Sequence, residues 1–193
     1  LPDIQTIDIR KAHLKKQMKF QFSNKLLQAI KKNLDNSKQI ILFQNRRGYS
    51  PLLSCETCSY TPGCKQCDVS LTYHKSNKNL RCHYCGYSED LPDSCPSCSN
   101  KNFIDKGFGT EQIEESLIEL FPENIIKRMD HDTTRGKNSY QNIITDFEKG
   151  RIDILVGTQM ISKGLDFDNV SLVGILNADN MLHFPDFRAY ERA

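Results

Sequence analysis

Hydrophobic and polar positions in the first 44 residues follow two different periods. The stretch SNKLLQAIKKNL has apolar residues at helical spacing and lysines turned outward, and Ser23 stands where an N-cap is expected. Its apolar positions are Leu26, Leu27, Ile30 and Leu34. The run IILF at residues 40–43 is continuously apolar, which is typical of a strand buried on both faces of a parallel sheet. The pattern therefore predicts a surface helix and then an internal strand that ends at Gln44.

The same alternation of helix and strand patterns resumes in the second half of the chain. GFGTEQIEESLIELFP predicts a helix with Thr110 as its N-cap and Pro122 as its stop, and NSYQNIITDFEKG predicts another helix. The stretches NIIKRM, RIDILVG and NVSLVGIL predict three more strands. This alternation predicts an α/β fold with a doubly wound, mostly parallel sheet. Because ligands bind such sheets at the carboxyl ends of the strands, the loop with Arg46, Arg47 and Tyr49 is a candidate site.

All eight cysteines lie between these two parts, as four Cys-x-x-Cys pairs. The pairs are Cys55 and Cys58, Cys64 and Cys67, Cys82 and Cys85, and Cys95 and Cys98. Disulfides are disfavoured because the chain shows no export signal, and redox catalysis would need one such pair beside a βα unit rather than four in a block. Zinc accepts four thiolates in a tetrahedron, and each Cys-x-x-Cys turn presents two of them to one ion. The pattern therefore predicts two zinc ions, each bound by four cysteines.

The lengths between the pairs, five, fourteen and nine residues, indicate how the thiolates are shared. Five residues are too few for the first two pairs to fold back comfortably on one ion, whereas fourteen approaches the usual zinc-ribbon spacing of about 15–20 residues. We predict a nested arrangement, in which the second and third pairs bind one ion and the first and fourth pairs bind the other. A cross-braced arrangement, first with third and second with fourth, is the alternative. Since eight thiolates fill two tetrahedral sites, His74 and His83 are interpreted as surface or packing residues.

Charge is unevenly distributed along the chain, although the net charge is only +2. Residues 1–50 hold eleven lysines and arginines against three acidic residues, which suits a polyanion such as nucleic acid. A basic but merely solvated helix face is the alternative. The sequence has no apolar run of about 18 residues and no N-terminal export signal, so we expect a cytoplasmic protein without a membrane partner.

Six features occur in one order: NRRGYSPLLSCETC, the four cysteine pairs, GFGTEQIEESLIELFP, RMDHDTT, DILVGTQMISKGLDFDNVSLVGILNAD and PDFRAYERA. Over essentially the whole chain they resemble the second helicase lobe, with its zinc-binding insertion, of the PriA family of bacterial replication-restart helicases (primosomal protein N′). The resemblance implies a RecA-like lobe with the fold of the P-loop NTPases. Residues 1–51 would be the first part of the lobe, residues 52–102 the insertion with two four-cysteine zinc sites, and residues 103–193 the remainder, ending before the arginine-finger motif.

The resemblance also implies roles for residues in two loops. VGTQMISKGLDF resembles helicase motif V, which in such motors approaches both the DNA backbone and the nucleotide. The implied DNA-binding or coupling residues are Arg46, Arg47, Tyr49, Thr158, Gln159 and Lys163. The implied nucleotide-binding residues are Gly164 and Asp166, with an ordinary turn acid as the alternative for Asp166. Arginine and tyrosine side chains suit a DNA strand because they bind phosphate and stack on bases.

The activity implied by the resemblance is ATP-dependent 3′-to-5′ unwinding of DNA at stalled replication forks, leading to primosome assembly and replication restart. The implied cofactors are two zinc ions and, in the full-length protein, ATP with Mg²⁺. The implied partners are forked and single-stranded DNA, single-strand DNA-binding protein and other primosome proteins.

Three ATPase elements of the family do not occur in this sequence: the Walker A motif, the Asp-Glu-x-His box and the arginine-finger motif. We therefore expect the chain to be part of a longer protein, to hold no catalytic residue, and to be inactive as an ATPase in isolation. A zinc-stabilised interaction scaffold without motor activity is the alternative function, and motif V argues against it. A zinc domain like that of J-domain chaperones is disfavoured, because its cysteine pairs need a following x-Gly-x-Gly that this chain lacks.

Overall fold

The computed structural model of the protein describes residues 2–44, 52–75, 77–162, 167–176 and 178. In chain order its helices are α1 (Ile9–Leu14), α2 (Asn24–Asp35), α3 (Thr110–Leu120) and α4 (Ser139–Glu148), and a short 3-10 helix spans Gln159–Ser162. Its strands are β1 (Met18–Lys19), β2 (Phe22–Ser23), β3 (Gln39–Gln44), β4 (Leu52–Cys55), β5 (Thr72–His74), β6 (Asn79–Arg81), β7 (Ser88–Asp90), β8 (Phe103–Lys106), β9 (Ile126–Met129), β10 (Ile154–Gly157) and β11 (Val170–Leu176). None of the helices in these residues has the length and apolar character needed to cross a membrane.

Four strands form one parallel sheet in the spatial order β11, β3, β10, β9. Ile154 of β10 lies opposite Ile40 of β3 on one side and opposite Ile126 of β9 on the other. Connections between parallel strands must cross a face of the sheet, and α3 and α4 lie in two of these crossings. The predicted α/β class and parallel sheet are therefore confirmed over four strands.

The two faces of the sheet pack against different helices. Along β3, Ile40 and Leu42 face α2 and α3, whereas Ile41 faces α4. The first core consists of Phe22, Ile30, Ile40, Leu42, Ile113, Leu117, Ile126, Ile154, Val156 and Leu176. The second consists of Ile41, Met129, Ile144, Phe147, Ile152, Leu155 and Ile161. Because successive residues of β3 and β10 enter one core or the other, both strands are continuous apolar runs in the sequence.

One of the two predicted helix caps is confirmed and the other is wrong. The Ser23 hydroxyl accepts a hydrogen bond from the Leu26 backbone N–H at 3.2 Å and caps α2, as predicted. At α3 the N-cap residue is Gly109, and Thr110 is the first helical residue. The Thr110 hydroxyl donates instead to Asp130 Oδ2 at 2.7 Å, because a buried carboxylate lies within its reach. The start of α3 is thus tied to the end of β9 by a side-chain hydrogen bond.

The cysteine module, which we define as residues 52–106, separates β3 from α3 in the chain. Its two ends pair as an antiparallel ribbon of β4 and β8, in which Cys55 lies opposite Phe103. Strands β5, β6 and β7 form a small antiparallel sheet. The buried members of its core are Leu53, Leu71, Leu80 and Cys82. So few buried apolar side chains leave a module of this size dependent on another source of stability, such as bound metal.

Gly157, the last residue of β10, lies where no side chain fits. A Cβ atom there would be 2.5 Å from the Met129 backbone oxygen and would also clash with the Ile161 side chain. Ile161 can rotate away, but the carbonyl of β9 is fixed in the sheet. We expect Gly157→Ala to lower the free energy of unfolding by about 1–3 kcal/mol, the usual cost of overpacking, as measured by denaturant titration in the presence of zinc.

Gly63→Ala is the matched control, because a Cβ atom at Gly63 would meet nothing within 4 Å and its φ is not positive. We expect this variant to stay within about 0.5 kcal/mol of the parent. Equal unfolding free energies for both alanine variants would show that the end of β10 tolerates a side chain and that the packing described above is wrong.

Candidate functional site

The eight cysteines form two compact clusters. We call Cys55, Cys58, Cys95 and Cys98 the outer cluster, and Cys64, Cys67, Cys82 and Cys85 the inner cluster. The potential ligand atoms of each cluster lie within 4.8 Å of one another. In the outer cluster the Sγ atoms of Cys55 and Cys98 are 3.5 Å apart, and in the inner cluster those of Cys64 and Cys85 are also 3.5 Å apart. The grouping is the nested one, first pair with fourth and second with third, rather than the cross-braced alternative.

The distances between sulfurs fit a shared metal ion and do not fit disulfides. A disulfide bond is about 2.0 Å long, and all eight cysteines are free. Four thiolates at about 2.3 Å from a tetrahedral zinc ion would lie about 3.8 Å from one another. The separation of 3.6 Å between the Cys58 and Cys95 sulfurs is close to that value. Four thiolates without nitrogen or oxygen ligands are the donor set of structural zinc sites.

Two of the four Cys-x-x-Cys turns, those that begin at Cys55 and Cys82, favour a thiolate at their first position. The backbone N–H of Cys58 lowers the pKa of Cys55 to about 6, and the backbone N–H of Cys85 lowers the pKa of Cys82 to about 7. By contrast, the side-chain hydrogen bond with Cys85 raises the pKa of Cys67 to about 12. Without a cation, one thiolate in the inner cluster therefore makes ionisation of the other thiols less favourable. A divalent cation would remove that penalty and hold all four thiolates deprotonated.

The carboxyl edge of the parallel sheet carries the second candidate region. Asp130 follows β9 and is fully buried, and its Oδ1 accepts hydrogen bonds from the backbone N–H groups of Asp132 and Thr133 at 2.9 and 3.1 Å. These bonds close the tight turn in the stretch DHDTT. The segments that follow β3 and β10 begin at the same edge, because the two strands are parallel neighbours.

Part of the predicted DNA and nucleotide site lies in this edge. Thr158 follows β10 directly and its side chain is buried, while its carbonyl accepts the Ile161 N–H at 3.0 Å. Gln159 begins the 3-10 helix, and its side chain is outside the described part of the structure. The remaining predicted residues, Arg46, Arg47, Tyr49, Lys163, Gly164 and Asp166, lie outside the described residues. Their assigned roles therefore stay predictions.

The basic character of the N-terminal part is found at the surface. Every lysine and arginine in residues 2–44 is exposed. Two of them form exposed ion pairs, Lys11 with Asp8 at 3.7 Å and Lys31 with Asp35 at 3.2 Å. Such pairs contribute little to stability, so these side chains are available to a polyanion as well as to water.

A polar cluster around His74 was not predicted from the sequence. His74 is only 5% exposed, and its Nε2 lies 3.1 Å from Nε2 of His83. Its Nδ1 lies 3.7 Å from Asp132 Oδ2, and the three side chains together could hold a metal ion. Burial lowers the pKa of His74, although the carboxylates of Asp132 and Glu111 oppose that shift. The interpretation of His74 as a surface or packing residue stays a prediction. The side chain is buried, and it contacts charged groups that are distant in sequence, which no local pattern reveals.

Two family models match the chain. The model of the PriA DNA helicase Cys-rich region (CRR) domain matches residues 64–89, and the model of the helicase conserved C-terminal domain matches residues 100–190. The first match contains the whole inner cluster, and the second contains the sheet strands from β9 onward.

Several curated relatives are similar over the full length of the chain. It is 42% identical over 192 residues to replication restart protein PriA of Bacillus subtilis (strain 168), and 43% identical over 196 residues to that of Synechocystis. It is 44% identical over 192 residues to the protein of the same name from Treponema pallidum. Each match covers 100% of this chain but only 24%, 24% and 28% of the respective relative. The chain therefore spans about a quarter of the length of the curated relatives it matches.

The nested clusters predict which cysteine variants lose the same metal ion. We expect Cys55→Ser and Cys95→Ser each to lower bound zinc by one equivalent per chain, and the double variant to lose no more than either single variant. Cys55→Ser combined with Cys64→Ser should lose two equivalents, because the two residues belong to different clusters. Elemental analysis of the purified proteins provides the measurement. Loss of two equivalents from the Cys55 and Cys95 double variant would contradict the nested pairing.

Proposed function

This chain belongs to the PriA family of replication restart proteins, and on that premise we propose that it is the second, RecA-like motor lobe of an ATP-dependent DNA helicase. The full-length protein would unwind DNA in the 3′-to-5′ direction at stalled forks and restart replication by primosome assembly. The observation that carries the proposal is the identity of 42% over the whole chain to a replication restart protein. The two cysteine clusters also lie in an insertion between β3 and β9, two strands of the parallel sheet.

The arrangement of the sheet edge supports a motor rather than a passive scaffold. Strands β3 and β10 are neighbours, so the loop with Arg46 and Arg47 and the segment from Thr158 to Asp166 both begin at one edge. Such an edge is where α/β sheets bind nucleotides and other ligands. We propose that Thr158, Gln159 and Lys163 contact DNA or couple it to the nucleotide, that Gly164 and Asp166 face the nucleotide, and that Arg46, Arg47 and Tyr49 bind DNA. One segment facing both ligands would link ATP hydrolysis to movement along the strand.

The eight cysteines would bind two zinc ions, one in each cluster, and their role would be structural. Each cluster offers four sulfurs and leaves no position for water or substrate, which is typical of closed structural sites. We propose the division into residues 1–51 and 103–193 as lobe and residues 52–102 as zinc insertion. The β4 and β8 ribbon lies at the boundary of that insertion.

The cofactors and partners of the full-length protein follow from the same proposal. ATP and Mg²⁺ would bind between this lobe and a first lobe that carries the Walker motifs, because this sequence has none. Forked and single-stranded DNA would be the substrates. Single-strand DNA-binding protein and other primosome proteins would be the protein partners, in the cytoplasm.

Binding of the chain to labelled single-stranded DNA and to a model fork tests the DNA contacts. We expect affinity that falls linearly with the logarithm of salt concentration, because lysine and arginine contacts release counterions. The double charge reversal Arg46→Glu with Arg47→Glu should weaken binding by about tenfold or more and reduce the salt slope by about two. The matched control is Lys149→Glu with Arg151→Glu, two exposed residues that precede β10 at the opposite edge. Equal losses in both double variants would contradict a DNA site at the carboxyl edge.

ATP hydrolysis by the full-length protein tests the motor assignment. We expect Asp166→Asn to reduce DNA-stimulated ATP turnover by at least about tenfold, because a carboxylate facing the nucleotide would be lost. The control is Asp168→Asn, the same change at an exposed turn position two residues further on. Bound zinc should remain at two equivalents in both variants. Turnover that is unchanged by Asp166→Asn would contradict the nucleotide role, and turnover by the isolated chain would contradict the need for a first lobe.

A further inference from the structure

A polar seam, in which two of the four side chains are buried, joins the cysteine module to the parallel sheet. We define the seam as His74 and His83 from the module and Glu111 and Asp132 from the sheet side. His74 ends β5, and its Nε2 lies 3.1 Å from Nε2 of His83, which stands between two ligand positions of the inner cluster. Its Nδ1 lies 3.7 Å from Asp132 Oδ2 and 4.0 Å from Glu111 Oε2. One imidazole therefore contacts the inner cluster's second turn on one side and carboxylates of the sheet on the other.

Negative charge is concentrated on the sheet side of the seam. Arg128 Nη1 lies 3.2 Å from Asp130 Oδ2 and 3.9 Å from Glu111 Oε2, and its Nε lies 3.4 Å from Glu114 Oε2, so three carboxylates share one guanidinium. The Oδ2 atom of Asp132 is buried without a hydrogen bond among the described residues. Buried carboxylates are stable only when polar groups replace their lost water. His74 is the polar group that the module places against Asp132.

The seam continues into the turn that follows β9. The backbone N–H of Asp132 donates to Asp130 Oδ1 at 2.9 Å, and the Thr134 hydroxyl donates to the Asp130 carbonyl at 2.7 Å. The same hydroxyl lies 3.8 Å from Sδ of Met160, in the 3-10 helix that follows Thr158. An unbroken series of contacts thus links the inner cluster to the start of the segment that resembles motif V.

We propose that the seam couples metal binding at the inner cluster to the order of the turn at residues 130–134. His74 is a positioning residue in this coupling, since it acts through Asp132 and touches no substrate. The inner cluster binds zinc more tightly when His74 faces the Asp132 carboxylate, and by linkage the turn is more ordered when the cluster holds zinc. The inference rests on the zinc binding proposed above but not on DNA binding or ATP hydrolysis.

The first test substitutes a residue on the sheet side of the seam and measures zinc binding in the cysteine module. Asp132→Asn should raise the zinc dissociation constant of the inner cluster by about fivefold or more, measured by competition with a chelator, and leave the outer cluster unchanged. Single cysteine variants of each cluster identify which ion is lost. The control is Asp146→Asn, because Asp146 of α4 pairs with Arg151 at 2.8 Å as Asp132 pairs with Arg135 at 2.6 Å, but Asp146 is not part of the seam. Equal zinc affinities for both asparagine variants would overturn the proposal.

A double-mutant cycle separates coupling from a general structural effect. His74→Phe keeps a ring of similar size but removes both nitrogens, and we expect it to weaken zinc binding at the inner cluster as Asp132→Asn does. If the two residues act through each other, the double variant binds zinc no more weakly than the weaker single variant. Multiplied losses in the double variant would overturn the proposal, because the two side chains would then act independently.

The reciprocal experiment removes zinc from one cluster and measures hydrogen exchange in the turn at residues 130–134. In Cys85→Ser, hydrogen exchange at the amides of Asp132 and Thr133 should accelerate by about fivefold or more, whereas Cys58→Ser in the outer cluster should leave both amides protected. Unchanged exchange in both variants would overturn the proposal.

A third bound zinc that is lost in His74→Phe would also overturn it, because a metal would then hold His74, His83 and Asp132 together. A parent chain that binds no zinc would overturn both this inference and the proposed zinc sites, whereas zinc binding without coupling would overturn this inference alone.

Discussion

Parallel pairing is the constraint on which the rest of this structure depends. Because β3, β9 and β10 run in the same direction, the segments that follow them all start from one edge of the sheet. The turn at Asp130 and the segment from Thr158 begin there, and so does the chain that leads to the cysteine module. These segments are far apart in sequence, and strand order alone brings them together. The segments predicted to contact DNA and nucleotide therefore start at an edge that no single segment specifies.

Polar contacts, rather than apolar packing, determine how the pieces at that edge are oriented. Asp130 accepts from two backbone N–H groups and from the Thr110 hydroxyl, and it also pairs with Arg128. An apolar contact would permit several orientations of similar energy, whereas a buried carboxylate is stable only when its partners are all in place. The same argument applies to the seam, where the contacts between the module and the sheet include charged and imidazole groups. This polar network favours one docking orientation of the module, at the cost of burying charge.

Local patterns predicted α2, α3, α4, the four strands of the parallel sheet and the grouping of the cysteines, but not α1, β1, β2, the strands of the cysteine module or the contacts between elements. The helical spacing after Ser23 and the apolar run of β3 depend on residues close in sequence, and the nested order of the cysteine pairs was predicted from the lengths between them. The structure agrees with each. The predicted N-cap of α3 was wrong because the Thr110 hydroxyl donates a hydrogen bond to the carboxylate of Asp130, twenty residues away. The partners of His74 could not be predicted from the sequence for the same reason, since Asp132 is brought to it only by the docking of the module on the sheet. Residue types in a turn do not reveal which distant side chain will face them.

The ribbon of β4 and β8 has a consequence for how the fold tolerates its insertion. The two strands pair directly, Leu52 opposite Lys106, so the module's entry and exit lie as close together as the ends of a hairpin. A long insertion between adjacent anchor points adds little loop-closure entropy, which grows only with the logarithm of length. The entropic cost of inserting some fifty residues between β3 and α3 is therefore close to that of a short loop. Such a junction lets the chain hold the cysteine module while the order of the surrounding strands stays the same.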